Sequence, residues 1–242
     1  MAPPPAVAIA PGVFRIPTVG SSATNSFALL DDDGSVTLVD TGLHTAPPKI
    51  VAGLAALGKH PADVQRIVLT HAHPDHAGGA ADMAERTGAP VAVHEGDAGF
   101  AEAGTSPPND TSTATGRLFA RLPGGGFPPV PVNERLADGQ VLDVAGGLRV
   151  VATPGHSPGH VSLLHEPSRT LITGDAIFNV LGVRYSPRML CSDFRLCRRT
   201  AHVLGELEYE RAGFTHGPEI VDGARETVRR FLAKAVTRHT PE

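Results

Sequence analysis

The 242 residues carry 21 Lys and Arg against 25 Asp and Glu, a formal net charge of −4, with 41% hydrophobic residues. A chain of this length buries roughly 70–75% of its unfolded surface in one large domain or two small ones. No apolar run is long enough to span a bilayer, and no basic stripe suits a nucleic-acid backbone, so neither a membrane nor a nucleic-acid partner is expected.

The opening Met1-Ala2-Pro3-Pro4-Pro5 lacks a basic n-region and the apolar piece 7–10 is too short for a signal-peptide core, so a cytoplasmic location is expected. Short apolar runs bounded by Gly, Pro or Asp then predict strands over 13–16, 26–30, 36–39, 67–69, 91–93, 148–152, 161–164 and 171–173. Helical patterns intervene over about 46–57, 79–86, 193–207 and 222–235. In the last, Ala224, Val228, Phe231, Leu232 and Ala235 share one face, and Asp222 is placed as N-cap. Strands in two batches with helices between and after them predict layered sheets covered by helices on the outside.

No repeat, charge block or linker divides the chain, so residues 1–242 are expected to form a single domain. One segment breaks the rhythm: 104–133 is rich in Pro, Gly and Thr and longer than a typical connection. It reads either as a mobile surface loop or as a lid or pocket wall. Cys191 and Cys197, six apart, do not clamp one ion from a helix face and are expected to be free, buried thiols.

The chemistry concentrates in His71-Ala72-His73-Pro74-Asp75-His76, directly after the predicted strand that ends at Leu69. Neutral imidazole is the commonest ligand for a borderline-soft divalent cation, and a carboxylate adds charge and an oxygen ligand. In extended chain His71 and His73 project to one side, while Asp75 and His76 turn beyond Pro74 toward a neighbouring point. Four donors aimed at two places suggest a binuclear site; the bland reading is a solvated polar turn. More donors are needed, and three stand after apolar runs beside Gly or Pro: His156, Asp175 and His216. Taken singly, each is more often a turn residue or a helix cap.

Taken in order, His-x-His-x-Asp-His, then His, Asp and His, the chain resembles the metallo-β-lactamase superfamily of metal-dependent hydrolases from about Asn25 to Pro218. Val39-Asp40-Thr41-Gly42 is similar to that superfamily's first conserved element, in which the Asp is structural rather than a ligand. The resemblance implies an α+β fold, a four-layer αββα sandwich of two mixed β-sheets flanked by helices, with the site at one edge between the sheets. It further implies that His71, His73 and His156 hold one metal, that Asp75, His76 and His216 hold a second, and that Asp175 bridges them. Thr215 stands where the family often has Gly. Two Zn²⁺ are the default cofactors, although iron and manganese accept the same donors. His160 and His94 read as supporting or substrate-facing residues or as satisfied polar turns; His44, His60, His165, His202 and His239 read as surface residues.

Such a site implies a hydrolase acting on a small molecule: a metal-bridging hydroxide attacks the carbonyl of an ester, thioester or lactone, and Asp75 is the catalytic residue that orients it and passes a proton to the leaving group. Glyoxalase II shares the pattern but adds a glutathione-binding region after the last His, and this sequence ends soon after His216, so a hydroxyacylglutathione substrate is not expected. Acyl-homoserine lactonases match around Asp75-His76-Ala77-Gly78-Gly79 and Thr153–His160 in order, yet their catalytic Tyr falls near Phe178, which has no hydroxyl. Asp175 argues against true β-lactamases, His73 against flavodiiron oxidoreductases, and length and charge against the nucleases. The alternative from another reaction class is a persulfide dioxygenase with a single iron held by two His and one Asp; the segment Gly182-Val183-Arg184-Tyr185-Ser186 departs from that branch. A ligand-binding member without turnover would have lost a ligand, and none is lost. Arg184, Tyr185 and Arg188 are candidates for an anionic substrate group or, equally, solvated loop residues.

Overall fold

A computed structural model describes residues 4–112, 114–119 and 125–237. His239 and, within the 104–133 segment, residues 113 and 120–124 lie outside the described residues. Seven strands make one mixed sheet in sequence order: β1 (Val7–Ala10), β2 (Val13–Val19), β3 (Thr24–Leu30), β4 (Val36–Val39), β5 (Val64–Leu69), β6 (Val91–His94) and β7 (Glu134–Leu136). The first four pair antiparallel through short turns, and β4 to β7 pair parallel because helices carry the crossovers. A second sheet, ordered β14-β11-β10-β9-β8, contains β8 (Val141–Leu142), β9 (Leu148–Ala152), β10 (Val161–His165), β11 (Thr170–Ile172) and β14 (Arg211–Gly213). Between β11 and β14 a hairpin of β12 (Ile177–Asn179) and β13 (Val183–Tyr185) stands apart from both sheets.

Alternation along the strands assigns each face. Ile67 and Leu69 point outward from β5 against Ile50 and Leu54 of α1 (Pro47–Ala56), followed by α2 (Pro74–Ala77), and Met83 of α3 (Ala80–Thr87). Val68 points inward, joining Phe27, Leu29 and Val39 against Leu148, Val150, Leu163 and Ile172 of the second sheet. The outer face of that sheet, with Leu164, Leu171 and Phe214, is covered by Leu204 and by Val228 and Leu232 of the C-terminal helix. Three apolar layers therefore lie between four layers of secondary structure, the αββα sandwich expected of the sequence.

The remaining helices are α4 (Glu95–Ala103), α5 (Ala114–Phe119), α6 (Phe194–Thr200) and α7 (Ala224–Thr237). Three details differ from expectation. The helix predicted over 193–207 is α6 followed by a 3₁₀ turn, Ala201–Gly205; the Thr200 hydroxyl bonds back to Leu196 O and Cys197 O and out to Pro154 O, which tightens the helix there. The last helix begins at Ala224, past Asp222. His165, read as a surface residue, is buried at 4% exposure because its ring spans from Ser168 Oγ (2.6 Å) to the Ala145 carbonyl (2.5 Å). His44 and His60 are exposed and His202 half-buried. Cys191 and Cys197 are free and buried. Among the described residues no helix is long and apolar enough to cross a membrane.

Candidate metal centre

The seven sequence-predicted residues all arrive from the C-terminal ends of four strands. His71 and His73 follow β5, with Pro74 opening α2 so that Asp75 and His76 fall on its single turn. His156 lies between β9 and β10, Asp175 follows β11, and His216 follows β14. Gly155 is required where the His156 loop crosses α6: at φ +124°, a Cβ there would strike the Cys197 backbone.

These residues form two clusters joined by one carboxylate. His156 Nε2 lies 3.1 Å from His71 Nε2 and 2.8 Å from His73 Nδ1. His76 Nε2 lies 3.6 Å from Asp75 Oδ2, and His216 Nε2 lies 3.4 Å from the same oxygen. Asp175 reaches both: Oδ2 is 3.2 Å from His156 Nε2 and 3.3 Å from His216 Nε2, and Oδ1 is 3.4 Å from His76 Nε2. Ligand atoms of His71, His73 and His156, of His71, His76 and Asp175, and of Asp75, His76 and His216 each lie within 4.8 Å of one another.

The donor set fits cations. The single His156 Nε2 faces two other imidazole nitrogens, and one proton satisfies only one of those contacts, so lone pairs outnumber protons at that point. His76 Nε2 is buried with no hydrogen-bond partner. Burial, helped by neighbouring imidazoles, holds His71 and His156 well below the usual histidine range, in the neutral form that ligates. His73 is lowered too, by burial against the pull of Asp175. In the second cluster burial opposes the charged form but carboxylates outweigh it: Asp175, Asp75 and Asp40 raise His76 to about 9, and Asp175 and Asp75 raise His216 to about 11. Asp75 and Asp175 are held below the usual carboxylate range, burial being outweighed by His76 and His216. The site thus concentrates negative charge around buried nitrogens.

A supporting shell fixes these groups. Asp40, in left-handed backbone at φ +57°, accepts from Thr70 N (2.7 Å) and Thr70 Oγ1 (2.8 Å) and meets His76 Nδ1 at 2.9 Å, consistent with a structural rather than ligating role. Ser186 Oγ meets His156 Nδ1 at 2.9 Å, and Ala23 O meets His216 Nδ1 at 2.7 Å. The Thr215 hydroxyl donates to Asp175 Oδ1 at 2.7 Å, and Asp175 N donates to His160 Nε2 at 2.6 Å. His160, lowered by burial to about 4, is therefore a supporting residue, whereas His94 closes a polar turn by accepting from Gly96 N at the start of α4.

Sequence reasoning missed Asp97. Fully buried, it accepts from Ala72 N (2.8 Å), Ser157 Oγ (2.6 Å) and Gly159 N (2.6 Å), tying the His71 loop to the His156 loop. The one available signal was an acid in the first turn after a predicted strand. Beside the clusters opens a cavity of about 400 Å³, walled by Pro107, Pro108 and Leu190, with Ser106, Asn109 and Thr111 supplying polar groups. Of the 104–133 segment, Ser106 to Asn109, Thr111 and Gly125 thus form a pocket wall at this edge. Phe178 packs its ring 4.3 Å from that of His216.

Comparison with known proteins agrees with this geometry. The model of the metallo-beta-lactamase superfamily matches residues 19–234. A thioesterase, pkgB, of Emericella nidulans is 26% identical over 89% of this chain and 52% of its own length. A hydroxyacylglutathione hydrolase of Acidiphilium cryptum is 30% identical over 69% of this chain and 55% of its own. The chain thus spans about half the length of these two curated relatives. The crystal structure of TTHA1429, a metallo-beta-lactamase family protein of Thermus thermophilus, superposes with a TM-score of 0.68 at 29% identity, covering 96% of this chain and 81% of the other. With the fold, the ordered His and Asp residues and the match over 19–234 in agreement, the chain belongs to the metallo-beta-lactamase superfamily.

Proposed function

We propose that the chain acts as a binuclear metal-dependent hydrolase on the carbonyl of a small ester, thioester or lactone, with a thioester as the first choice. The observation that carries this reading is Asp175, one carboxylate within 3.4 Å of imidazole nitrogens from both clusters. His71, His73 and His156 would hold one cation and Asp75, His76 and His216 the other, with Asp175 shared. Residues 1–242 are taken as one domain around this centre. Two divalent cations, zinc by default with iron or manganese accepting the same donors, supply activated water at neutral pH and a Lewis acid for the carbonyl oxygen.

The chain's own residues do the rest. Asp75, half-exposed at the cavity and kept ionised by His76 and His216, takes a proton from the attacking water and delivers it to the leaving group. Asp175, pinned by Thr215 and by its backbone bond to His160, sets the separation of the two clusters. The cavity excludes water from one side of the scissile bond with Pro107, Pro108 and Leu190 and orients polar groups with Asn109 and Thr111. Phe178, packed on His216 with no hydroxyl of its own, leaves Asp75 as the proton donor to the leaving group, and a thiolate, whose acid has a pKa of about 8.5, needs that help less than an alkoxide. The thioesterase and hydroxyacylglutathione hydrolase names of two relatives point the same way.

The test is hydrolysis of a panel of thioesters, esters, lactones and β-lactams by metal-quantified protein. Two equivalents of metal with turnover of one carbonyl class are expected, and His71→Ala and His216→Ala should each abolish it. A single iron with oxygen consumption on a persulfide would replace this reading by the dioxygenase one, and full activity in His216→Ala would refute the shared two-cluster centre.

A further inference from the structure

Of the four strands that deliver the ligands, β14 is the one at a sheet edge. It has three residues, pairs with β11 on one side, and leads straight into His216. Asp75 and His76, the partners of His216 in the second cluster, follow β5, which lies inside the first sheet between β4 and β6. Beyond β14 the chain turns back on itself, and a pair of 2.9 Å hydrogen bonds between Ala212 and Ile220 closes the base of the 213–219 loop. The second cluster therefore joins donors from two sheets, and a fixed His216 needs contacts that its own strand does not supply.

Those contacts come from the first sheet, and Asn25 is their centre. Fully buried on β3, Asn25 donates from its backbone N to Thr215 O and from Nδ2 to Phe214 O and Gly217 O, all at 2.9 Å. The turn before β3 adds two more bonds: Gly217 N donates to Ser22 O at 2.8 Å, and the Ala23 carbonyl meets His216 Nδ1 at 2.7 Å. Arg15, 5% exposed on β2, orients the amide from behind, donating from Nη1 to Asn25 Oδ1 (3.0 Å) and Ser21 O (2.8 Å). Its Nε donates to Glu219 Oε2 (2.6 Å) at the far end of the same loop. With its oxygen facing a guanidinium and its nitrogen facing two carbonyls, the Asn25 amide has one satisfied orientation. Asn179 N also holds the loop, donating to His216 O at 2.8 Å, but it stands on the hairpin apart from both sheets and so does not register the loop to β5.

We propose that Asn25 is a positioning residue for the second cation, with Arg15 orienting its amide: Asn25 registers His216 to the sheet that carries Asp75 and His76, and without it the chain holds one cation firmly instead of two. The proposal rests on the two-cation reading above. Strand β3 reaches β5 through β4 alone, so one buried amide links that part of the first sheet to a donor of the second. The first set, His71, His73 and His156, takes no donor from the 213–219 loop and is tied instead by Asp97 and Ser186, so the effect falls on one cation. Asp175 keeps its own bond to His160.

Titration of the metal-free full chain with cobalt(II) tests this, bound metal being counted after desalting and visible absorption reporting each equivalent. The parent is expected to take two equivalents. Asn25→Ser should take the first within about twofold of parental affinity and the second about 10–100-fold more weakly, so that the absorption the second equivalent adds is missing at matched concentrations. Arg15→Gln should weaken the second equivalent several-fold, and Arg15→Lys, which keeps a cation beside Glu219, should weaken it less. Leu29→Ala, a buried truncation on the same strand away from the loop, should lower the melting temperature and leave both equivalents at parental affinity. A parent that takes one equivalent would overturn the two-cation reading and this proposal with it. With two equivalents in the parent, the proposal alone is overturned if Asn25→Ser keeps both or weakens both alike, if Arg15→Gln keeps parental affinity for the second, or if Leu29→Ala loses the second as well.

Discussion

Asp97→Asn isolates the clamp between the two ligand loops with almost no change of shape. Asp97 Oδ2 accepts from Ala72 N and Ser157 Oγ, and Oδ1 accepts from Gly159 N, all at 2.6–2.8 Å in a fully buried setting. An amide retains one oxygen. Placed at Oδ2 it keeps two bonds but sets its NH₂ against the Gly159 N–H, and the reverse placement fails at two donors. The cost is one charge-assisted bond, about 1.5–3 kcal/mol, plus a buried N–H without an acceptor, about 1–3 kcal/mol, partly offset because a neutral amide is easier to bury. A net loss of about 3 kcal/mol corresponds to a drop of roughly 6–12 °C in melting temperature for a protein of this size. The His71 and His156 loops lose their common anchor, so metal affinity should also fall about 10–100-fold. Melting of the metal-free protein, followed by zinc titration against a chelating indicator, measures both effects. As a control, Asp82→Ala breaks the exposed Arg86 pair and should move stability by less than about 1 kcal/mol. Asp97→Asn with the melting temperature and zinc affinity of the parent would refute the clamp.

The pH dependence of the metal-free protein follows from the second cluster. His76 is raised to about 9 and His216 to about 11, so the stability they contribute is complete below the ordinary histidine value of 6.5 and is lost as pH rises through the folded values; the metal-free melting temperature should fall between pH 7 and 9, and a flat or rising curve would contradict the charge arrangement. His71 and His156 are lowered, so their contribution is lost as pH falls through 6.5, giving an acid limb as well. Cys191 and Cys197 are buried, and contact with Cys197 together with burial pushes the Cys191 thiol up, so neither should react with a disulfide reagent until the protein is unfolded, and labelling at the native-state rate of an exposed thiol would show the packing to be wrong.

The donors were readable because four of them share six residues directly after a strand, and because the other three, His156, Asp175 and His216, follow strands next to a Gly. The eight predicted strands exist for the same reason: their apolar runs meet a partner layer on at least one face. What the sequence concealed are groups whose partners lie far along the chain. Asp97 bonds 25, 60 and 62 residues away, and nothing at position 97 announces it. Thr215 read as a departure that stiffens the backbone, while in the fold its hydroxyl reaches Asp175, 40 residues earlier. His165 read as surface because the Ala145 carbonyl that holds it comes from across the β8–β9 turn, 20 residues before it. The three-residue strands of the β12–β13 hairpin offer too few alternations to show a period, so the hairpin was invisible as well.

The same distinction separates what a metal could organise from what the chain organises alone. Asp175 does not depend on a cation for its position. Its backbone N–H is held by His160 Nε2, its Oδ1 by Thr215, and the residue before it must be Gly, because at φ +52° a Cβ on Gly174 would come within 2.5 Å of that His160 nitrogen. His160 is in turn fixed through Nδ1 by Thr153, at 2.8 Å from the hydroxyl and 3.1 Å from the carbonyl. The shared carboxylate is therefore built from the end of β9, through the His160 turn, to β11 and β14, all in the second sheet. His71, His73, Asp75 and His76 come from the first sheet and reach the same point through the inter-sheet core. Val161 N donates to Thr70 O and Asn25 bonds the chain around His216, but Asp97 is the buried carboxylate outside the ligand set that bonds the His71 loop, through Ala72 N, and the His156 loop, through Ser157 and Gly159, at once, which makes it a sharp place to perturb the centre.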